Sequence, residues 1–161
     1  MKKSVVKGFI TLATVIAFAI LGIAASHTTA HADTTDNDPS FSTVLSTAKS
    51  KLGKPYVWGA TGPLSFDCSG FTSYVYKKAA NITIPRTAQA QYNAYKHVKG
   101  SAVKKGDLVF FGGSTSSISH VGLYIGKGQM IDAQNRGVIT ESIYAPWWHK
   151  VGYAHVTDMN S

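Results

Sequence analysis

The chain has 161 residues, with 16 Lys and Arg against 8 Asp and Glu, six His and one cysteine. A hydrophobic share of 44% excludes a disordered chain, and the length suits one domain. A lone Cys68 excludes an intramolecular disulfide framework.

Lys2, Lys3 and Lys7 precede a charge-free run from Phe9 to Ala25, and Ala30-His31-Ala32 follows with small residues at the two positions a signal peptidase reads. This layout predicts a secretory signal peptide over 1–32, cleaved after Ala32. The alternative is an uncleaved anchor, but the apolar run is at the short end of the roughly 17–25 residues that span a bilayer. A mature chain starting at Asp33 holds 129 residues and its net charge falls from +8 to +5. It is expected outside the cell, at the wall, with no membrane span after cleavage. Its remaining basic residues are scattered, so no nucleic-acid partner is expected. A mild positive charge suits an anionic envelope surface or serves solubility alone.

Residues 33–40 are polar and read as a disordered lead-in, and the folded domain is expected over 41–161. Phe41, Val44, Leu45, Ala48 and Leu52 recur at helical spacing after Ser40, a helix-capping residue type, and Gly53 should end that helix. A second helix opens at Asp67 or Cys68 and runs to about Ala80, with Phe71, Tyr74 and Val75 on its apolar side. Pro85 interrupts the chain, and Thr87 to Lys96 suggests a third helix. Strand patterns follow at 107–111, 120–125, 129–133, 137–140 and 150–156, separated by Gly or polar turns. Helices followed by consecutive strands predict an α+β fold, with N-terminal helices packed on a central antiparallel sheet.

Cys68 sits at a predicted helix start, where unpaired N–H groups favour an anion, the nucleophilic form of a thiol. Ser69 and Gly70 are small enough to leave room for a substrate carbonyl. The plain alternative is a buried structural cysteine. His120 begins the strand His-Val-Gly-Leu-Tyr-Ile, in which Val121, Leu123 and Ile125 point one way and His120, Gly122 and Tyr124 the other. His120 is therefore expected off the apolar face, with Gly122 keeping its own face open. A three-residue loop, Gly126-Lys127-Gly128, would pair Gly122 with Asp132 and place Asp132 diagonally next to His120. A two-residue loop would turn Asp132 to the opposite face. In the first arrangement Asp132 orients the imidazole, and Gln134 is the reserve candidate for that role; otherwise Asp132 is a solvated strand residue. A zinc site built from Cys68, His120 and Asp132 matches no usual ligand spacing, so neither metal nor other cofactor is expected. His97, His149 and His155 read as surface or packing residues. The segment 112–119 reads as a mobile loop at the cleft edge. Tyr144, Trp147 and Trp148 read as closing the core, with stacking on sugars as the alternative.

Six segments in order carry a resemblance: Pro55-Tyr56-Val57-Trp58-Gly59, Asp67-Cys68-Ser69-Gly70-Phe71, Ile84-Pro85-Arg86-Thr87, Gly106 to Phe111, His120 to Gly126, and Met130-Ile131-Asp132-Ala133. Together they resemble the NlpC-type cysteine peptidases of bacterial cell walls, over roughly Thr43 to His155. The resemblance implies a papain-like core and cleavage of peptidoglycan stem peptides, usually at the bond from the γ-carboxyl of D-glutamate to a diamino acid, meso-diaminopimelate or L-lysine. It implies Cys68 as nucleophile, His120 as general base and Asp132 at the third catalytic position, which is most often His in this family. It implies Tyr56 near the nucleophile as an aid to the oxyanion, and Asp67 and Ser69 as contacts to the stem peptide, Asp67 facing its free amino end. Arg86 reads either as a partner for a substrate carboxylate or as a surface charge. Ala60 departs from the second glycine usual after the tryptophan. The chain is expected to act as a monomer. Two rival expectations are a catalytically silent wall-binding protein of the same fold, and a related thiol amidase or acyltransferase.

Overall fold

The computed structural model describes residues 38–161. The signal peptide expected at 1–32 and most of the expected lead-in lie outside the described residues. Three helices come first: α1 (Phe41–Lys49), α2 (Cys68–Ala80) and α3 (Ala88–Ala94). Six strands follow: β1 (Lys96–Val98), β2 (Leu108–Ser114), β3 (Ser117–Gly126), β4 (Gln129–Gln134), β5 (Gly137–Ser142) and β6 (Lys150–His155). They form one antiparallel sheet in the order β1-β6-β2-β3-β4-β5. The α+β expectation is met. Among the described residues no helix is long and apolar enough to cross a membrane.

Each helix starts where a side-chain oxygen takes an orphaned N–H. Ser40, Asp67 and Thr87 accept from Ser42, Gly70 and Ala90. The first helix ends earlier than Gly53 because Ser50 Oγ bonds back to the Thr47 carbonyl and the chain tightens into i→i+3 turns. Leu52 is left outside it, half exposed. The end of the expected lead-in is not free chain. Phe41 N–H donates to the Asn160 carbonyl and Asn160 N–H to the Pro39 carbonyl, so the ordered domain starts by Asp38.

Alternation splits the sheet between two apolar clusters. Leu108, Phe110, Val121, Leu123, Ile131 and Ala133 face the helices and meet Val44, Phe71, Val75 and Tyr76. Each fully buried Val, Leu, Ile or Phe among them contributes roughly 1.5–3 kcal/mol. Tyr76 also donates a hydrogen bond to the Gly106 carbonyl, tying α2 to the turn before β2. The opposite residues are not solvated. Val109, Phe111, Met130, Ile143 and Tyr153 form a second, smaller cluster, against which Tyr124 and Trp148 pack.

Two further expectations need correction. Residues 112–119 are not a loop: β2 and β3 run on past the core edge and close around Thr115-Ser116. The small polar side chains there reflect strands without a layer above them. The β3–β4 turn is also shorter than expected. Gly126 pairs with Gln129, leaving Lys127 and Gly128 as a two-residue turn with φ of +52° and +69°, as a type I′ turn requires. A bulge between Tyr124 and Gly126 adds the missing residue, so Tyr124 still pairs with Met130 and Leu123 with Ile131. The parity that places Asp132 on the His120 face comes from that bulge.

Candidate active site

Asp67 builds the start of α2. Its Oδ1 accepts from Gly70 N–H at 2.6 Å, its Oδ2 accepts from Gly59 N–H at 2.9 Å, and its carbonyl takes the Phe71 N–H. The N–H groups of Cys68 and Ser69 keep no partner among the described residues. They leave a small electropositive pocket at the thiol. Cys68 is 8% exposed and lines a cleft of 480 Å³ with Trp58, Ser69, Arg86, Ile118 and Ser119. Gly70 does not make room for a substrate. A Cβ there would lie 2.2 Å from the Ala60 carbonyl oxygen, so its absence lets the 59–60 segment lie against the helix start.

The Asp67 carboxylate is already engaged. Arg86 Nη1 donates to Oδ1 at 3.0 Å and Nη2 to Oδ2 at 2.5 Å, a two-pronged pair, while Nη1 also reaches Ser69 Oγ at 3.0 Å. Burial opposes the Asp67 charge, but Arg86 and the two backbone N–H groups outweigh it and hold the carboxyl below its usual range. The Arg86 guanidinium is correspondingly raised. Asp67 thus lines the cleft as one half of an ion pair, each of its oxygens already accepting from a backbone N–H and from Arg86, and Arg86 is paired rather than a free surface charge. Gln91, fully buried, fixes this corner: its amide donates to the Ser69 and Pro85 carbonyls and accepts from Thr72 Oγ1. Tyr56 is half-buried, and burial followed by the negative potential of Cys68 and Asp67 raises its pKa, keeping its hydroxyl a donor beside the thiol.

His120 and Asp132 meet as the hairpin register requires. His120 Nε2 lies 2.7 Å from Asp132 Oδ2, with Asp132 fully buried and His120 8% exposed. The other ring nitrogen, Nδ1, is left for Cys68. Burial works against a charged ring, but the hydrogen bond to Asp132, the nearby Cys68 sulfur and the charges of both together lift its pKa from 6.5 to about 9. The ring does not stand on an open face. Trp148 stacks on it, with centroids 4.3 Å apart and planes at 15°, and Phe111 lies at 5.9 Å. Nor does Gly122 leave space: a Cβ there would meet Met130 Sδ at 2.6 Å and Asp132 Cβ at 3.3 Å.

Gln134 does not reach His120. Its side chain accepts from Arg136 N–H and lines a second hollow of 570 Å³ with Asn135, Arg136, Trp147 and Trp148. Of the three late aromatics only Trp148 packs inward; Tyr144 and Trp147 are exposed. His155 pairs with Asp107 at 2.6 Å and His97 stacks on Tyr92, both away from this site. Among the described residues no group of three His, Cys, Asp or Glu is placed to hold a metal.

Two neighbours of the site were not foreseen from the sequence. Glu141, the only glutamate of the chain, is 9% exposed on β5. It accepts from Trp148 Nε1 at 3.1 Å and from Arg136 Nη2 at 2.9 Å. Asp132 Oδ1 is the one buried side-chain polar atom among the described residues with no partner. A lone acid in a half-apolar strand was the available signal for Glu141. Nothing in the sequence pointed to the packing of Trp148 on His120.

Sequence and fold comparisons bear on the family of the chain. A probable endopeptidase p60 of Listeria monocytogenes is 49% identical over 115 residues, 70% of this chain and 23% of the relative. The bifunctional muramidase/DL-endopeptidase CwlT of Bacillus subtilis is 38% identical over 121 residues, 72% of this chain and 36% of the relative. The chain thus spans well under half of the length of these relatives. A crystal structure of an NlpC/P60 family protein from Bacillus cereus superposes with a TM-score of 0.69 at 35% identity, over 73% of this chain and 40% of that one. The profile of the NlpC/P60 family matches residues 53–157, and the chain, with its papain-like α+β fold, belongs to that family.

Proposed function

We propose that this protein is a secreted peptidoglycan endopeptidase of the cysteine peptidase class. Its target is the stem-peptide bond between the γ-carboxyl of D-glutamate and the following diamino acid, and it acts through a thioacyl intermediate. Residues 1–32 are its leader, the domain that follows carries the chemistry, and the cell wall is where it works. The observation that carries this reading is the buried His120 held 2.7 Å from Asp132, with Cys68 at the first position of α2; the rise of the ring's pKa to about 9 supports it. A ring of that proton affinity beside a thiol at a helix N-terminus supports a thiolate–imidazolium pair. The likeness to a probable endopeptidase and to a muramidase/DL-endopeptidase supports peptidoglycan stem peptides as the substrate class.

In the mechanism, the Cys68 sulfur attacks the stem-peptide carbonyl, and the oxyanion is met by the free Cys68 N–H and the Tyr56 hydroxyl. One such donor is typically worth about 3 kcal/mol. His120 gives its proton to the departing amine, and the diamino-acid side of the substrate leaves. Water then enters, His120 takes its proton, and the thioester is hydrolysed. Asp132 holds the ring by Nε2 throughout. The paired Asp67 and Arg86, with Ser69, form the rigid wall of the cleft that receives the acyl side.

The test is digestion of purified walls containing either diaminopimelate or lysine, with mass spectrometry of the released fragments. The expected products end in free γ-D-glutamyl carboxyl groups and new diamino-acid amines, and Cys68→Ala releases none. Other new termini would point to a thiol amidase or acyltransferase. Wall binding without release, and without alkylation of Cys68 at neutral pH, would mark a silent binding protein instead.

A further inference from the structure

We propose that Glu141 is a positioning residue for the Cys68–His120 pair: as a neutral carboxylic acid it donates a hydrogen bond to the orphaned Oδ1 of Asp132, and it holds Trp148 flat against the imidazole. This rests on the reading of Cys68, His120 and Asp132 given above.

The strand register supplies the first argument. Asp132 pairs with Ile139 and Met130 with Glu141, so Asp132 and Glu141 are diagonal neighbours on one face, within reach of a long side chain. The second argument is the unpaired oxygen. A buried carboxylate oxygen without a donor is costly, and Asp132 Oδ1 has none while its neighbour is another carboxyl group. Two carboxylates only accept and repel. With one proton between them, one becomes the donor and the orphan is satisfied.

The same neighbourhood decides which acid keeps the proton. Asp132 is fully buried against His120, where a negative charge interacts strongly with an imidazolium. The cation beside Glu141 is Arg136, whose side chain is 58% exposed, so solvent screens it. Burial first, then the charge of Asp132, raise the Glu141 pKa, against the opposing pull of Trp148 and Arg136. The groups facing Glu141 are thus Asp132 from β4, Arg136 from the β4–β5 turn and the indole N–H of Trp148, with His120 of β3 beyond Asp132. Trp148 closes the loop, because the ring that donates to Glu141 Oε1 is the ring stacked on His120.

The test uses the purified chain and two readouts, the NMR titration of the His120 imidazole and wall-digestion kinetics. Glu141→Ala should lower the His120 midpoint by about one unit or more, and lower kcat by about tenfold with KM changed less than about twofold. Glu141→Gln, whose amide can donate to Oδ1 and accept from Trp148, should restore the midpoint and most of kcat. Glu141→Met, which fills the space without a donor, should behave as Glu141→Ala and carries the comparison if the alanine variant does not fold. Equal damage from Gln and Met would overturn the proposal, since the anion rather than a donor would then matter. Unchanged midpoints in Ala and Met would overturn it too. If wild-type His120 titrates near its ordinary value, the ion pair itself is refuted, whatever Glu141 does.

Discussion

His120 is asked to hold a proton in a place where burial alone would strip it. Asp132 reverses that balance through a 2.7 Å contact. A folded-state pKa of about 9 above an ordinary 6.5 means that the ring's charge stabilises the fold fully below about pH 6.5. This contribution is lost as pH rises through about 9. Asp132→Asn keeps the shape and removes the charge, so the alkaline limb of the pH–rate profile should move down by one unit or more. An alkaline limb that stays in place would show that Asp132 does not hold the proton. Gly122→Ala probes the same contact sterically. Its Cβ must displace Met130 and press on Asp132, and the expected cost is about 1–3 kcal/mol of stability with a larger fall in kcat than in KM. Thermal unfolding and kinetics together check it. At this scale the sequence was informative about identity: a cysteine between Asp and Ser-Gly, and a histidine opening an alternating strand, pointed to the candidate site. It was silent about occupancy. That Arg86 already fills Asp67, and that Ala60 and Met130 fill the space beside Gly70 and Gly122, are facts of packing between distant segments.

The elements were legible wherever periodicity was long. All three helices and five of the six strands lie where their sequence patterns place them, because capping residues and alternation are local, although α1 and α3 end earlier than expected, at Lys49 and Ala94, and Lys96 belongs to β1. The exceptions are instructive. β1 is three residues with two of them exposed, and only its pairing with β6 makes it a strand. The Gly112–Ser119 segment has no apolar alternation because its strands overhang the core. The β3–β4 parity was anticipated with the wrong device, a longer loop in place of a bulge, since both add one residue and sequence spacing alone cannot separate them. For α2, the ion pair at its first turn predicts an acid effect. The lowered Asp67 pKa contributes stability that is present above the ordinary carboxylate range and is lost as pH falls through the folded value. Arg86→Met removes the largest charge holding Asp67 ionised, so acid unfolding followed by circular dichroism should begin at a higher pH than in the wild type. An unchanged acid midpoint would mean that the cap bonds alone hold the carboxylate.

For the whole molecule, composition was informative about class and not about the second apolar layer. The strand face bearing His120 was expected to be open. It is covered by Phe111, Met130, Ile143 and Tyr153, and Trp148 reaches it from the segment before β6. That cover keeps bulk water from the His120–Asp132 contact and so strengthens it. The excess of basic over acidic residues makes a prediction at the same scale. Association of the inactive Cys68→Ala protein with purified anionic walls should weaken as salt rises from about 0.01 M to 1 M, where the screening length shrinks from about 30 Å to 3 Å. Salt-independent sedimentation would instead assign retention to the cleft.

The backbone bonds between Pro39, Phe41 and Asn160 bring the two extremities of the domain side by side. A linker of a few residues would therefore suffice to join them into a closed ring without distorting the sheet. Anything appended at either extremity would emerge from the same spot, next to the cap of the first helix. A bulky addition there, or trimming through Asn160, would act on that helix before it acted on the cleft.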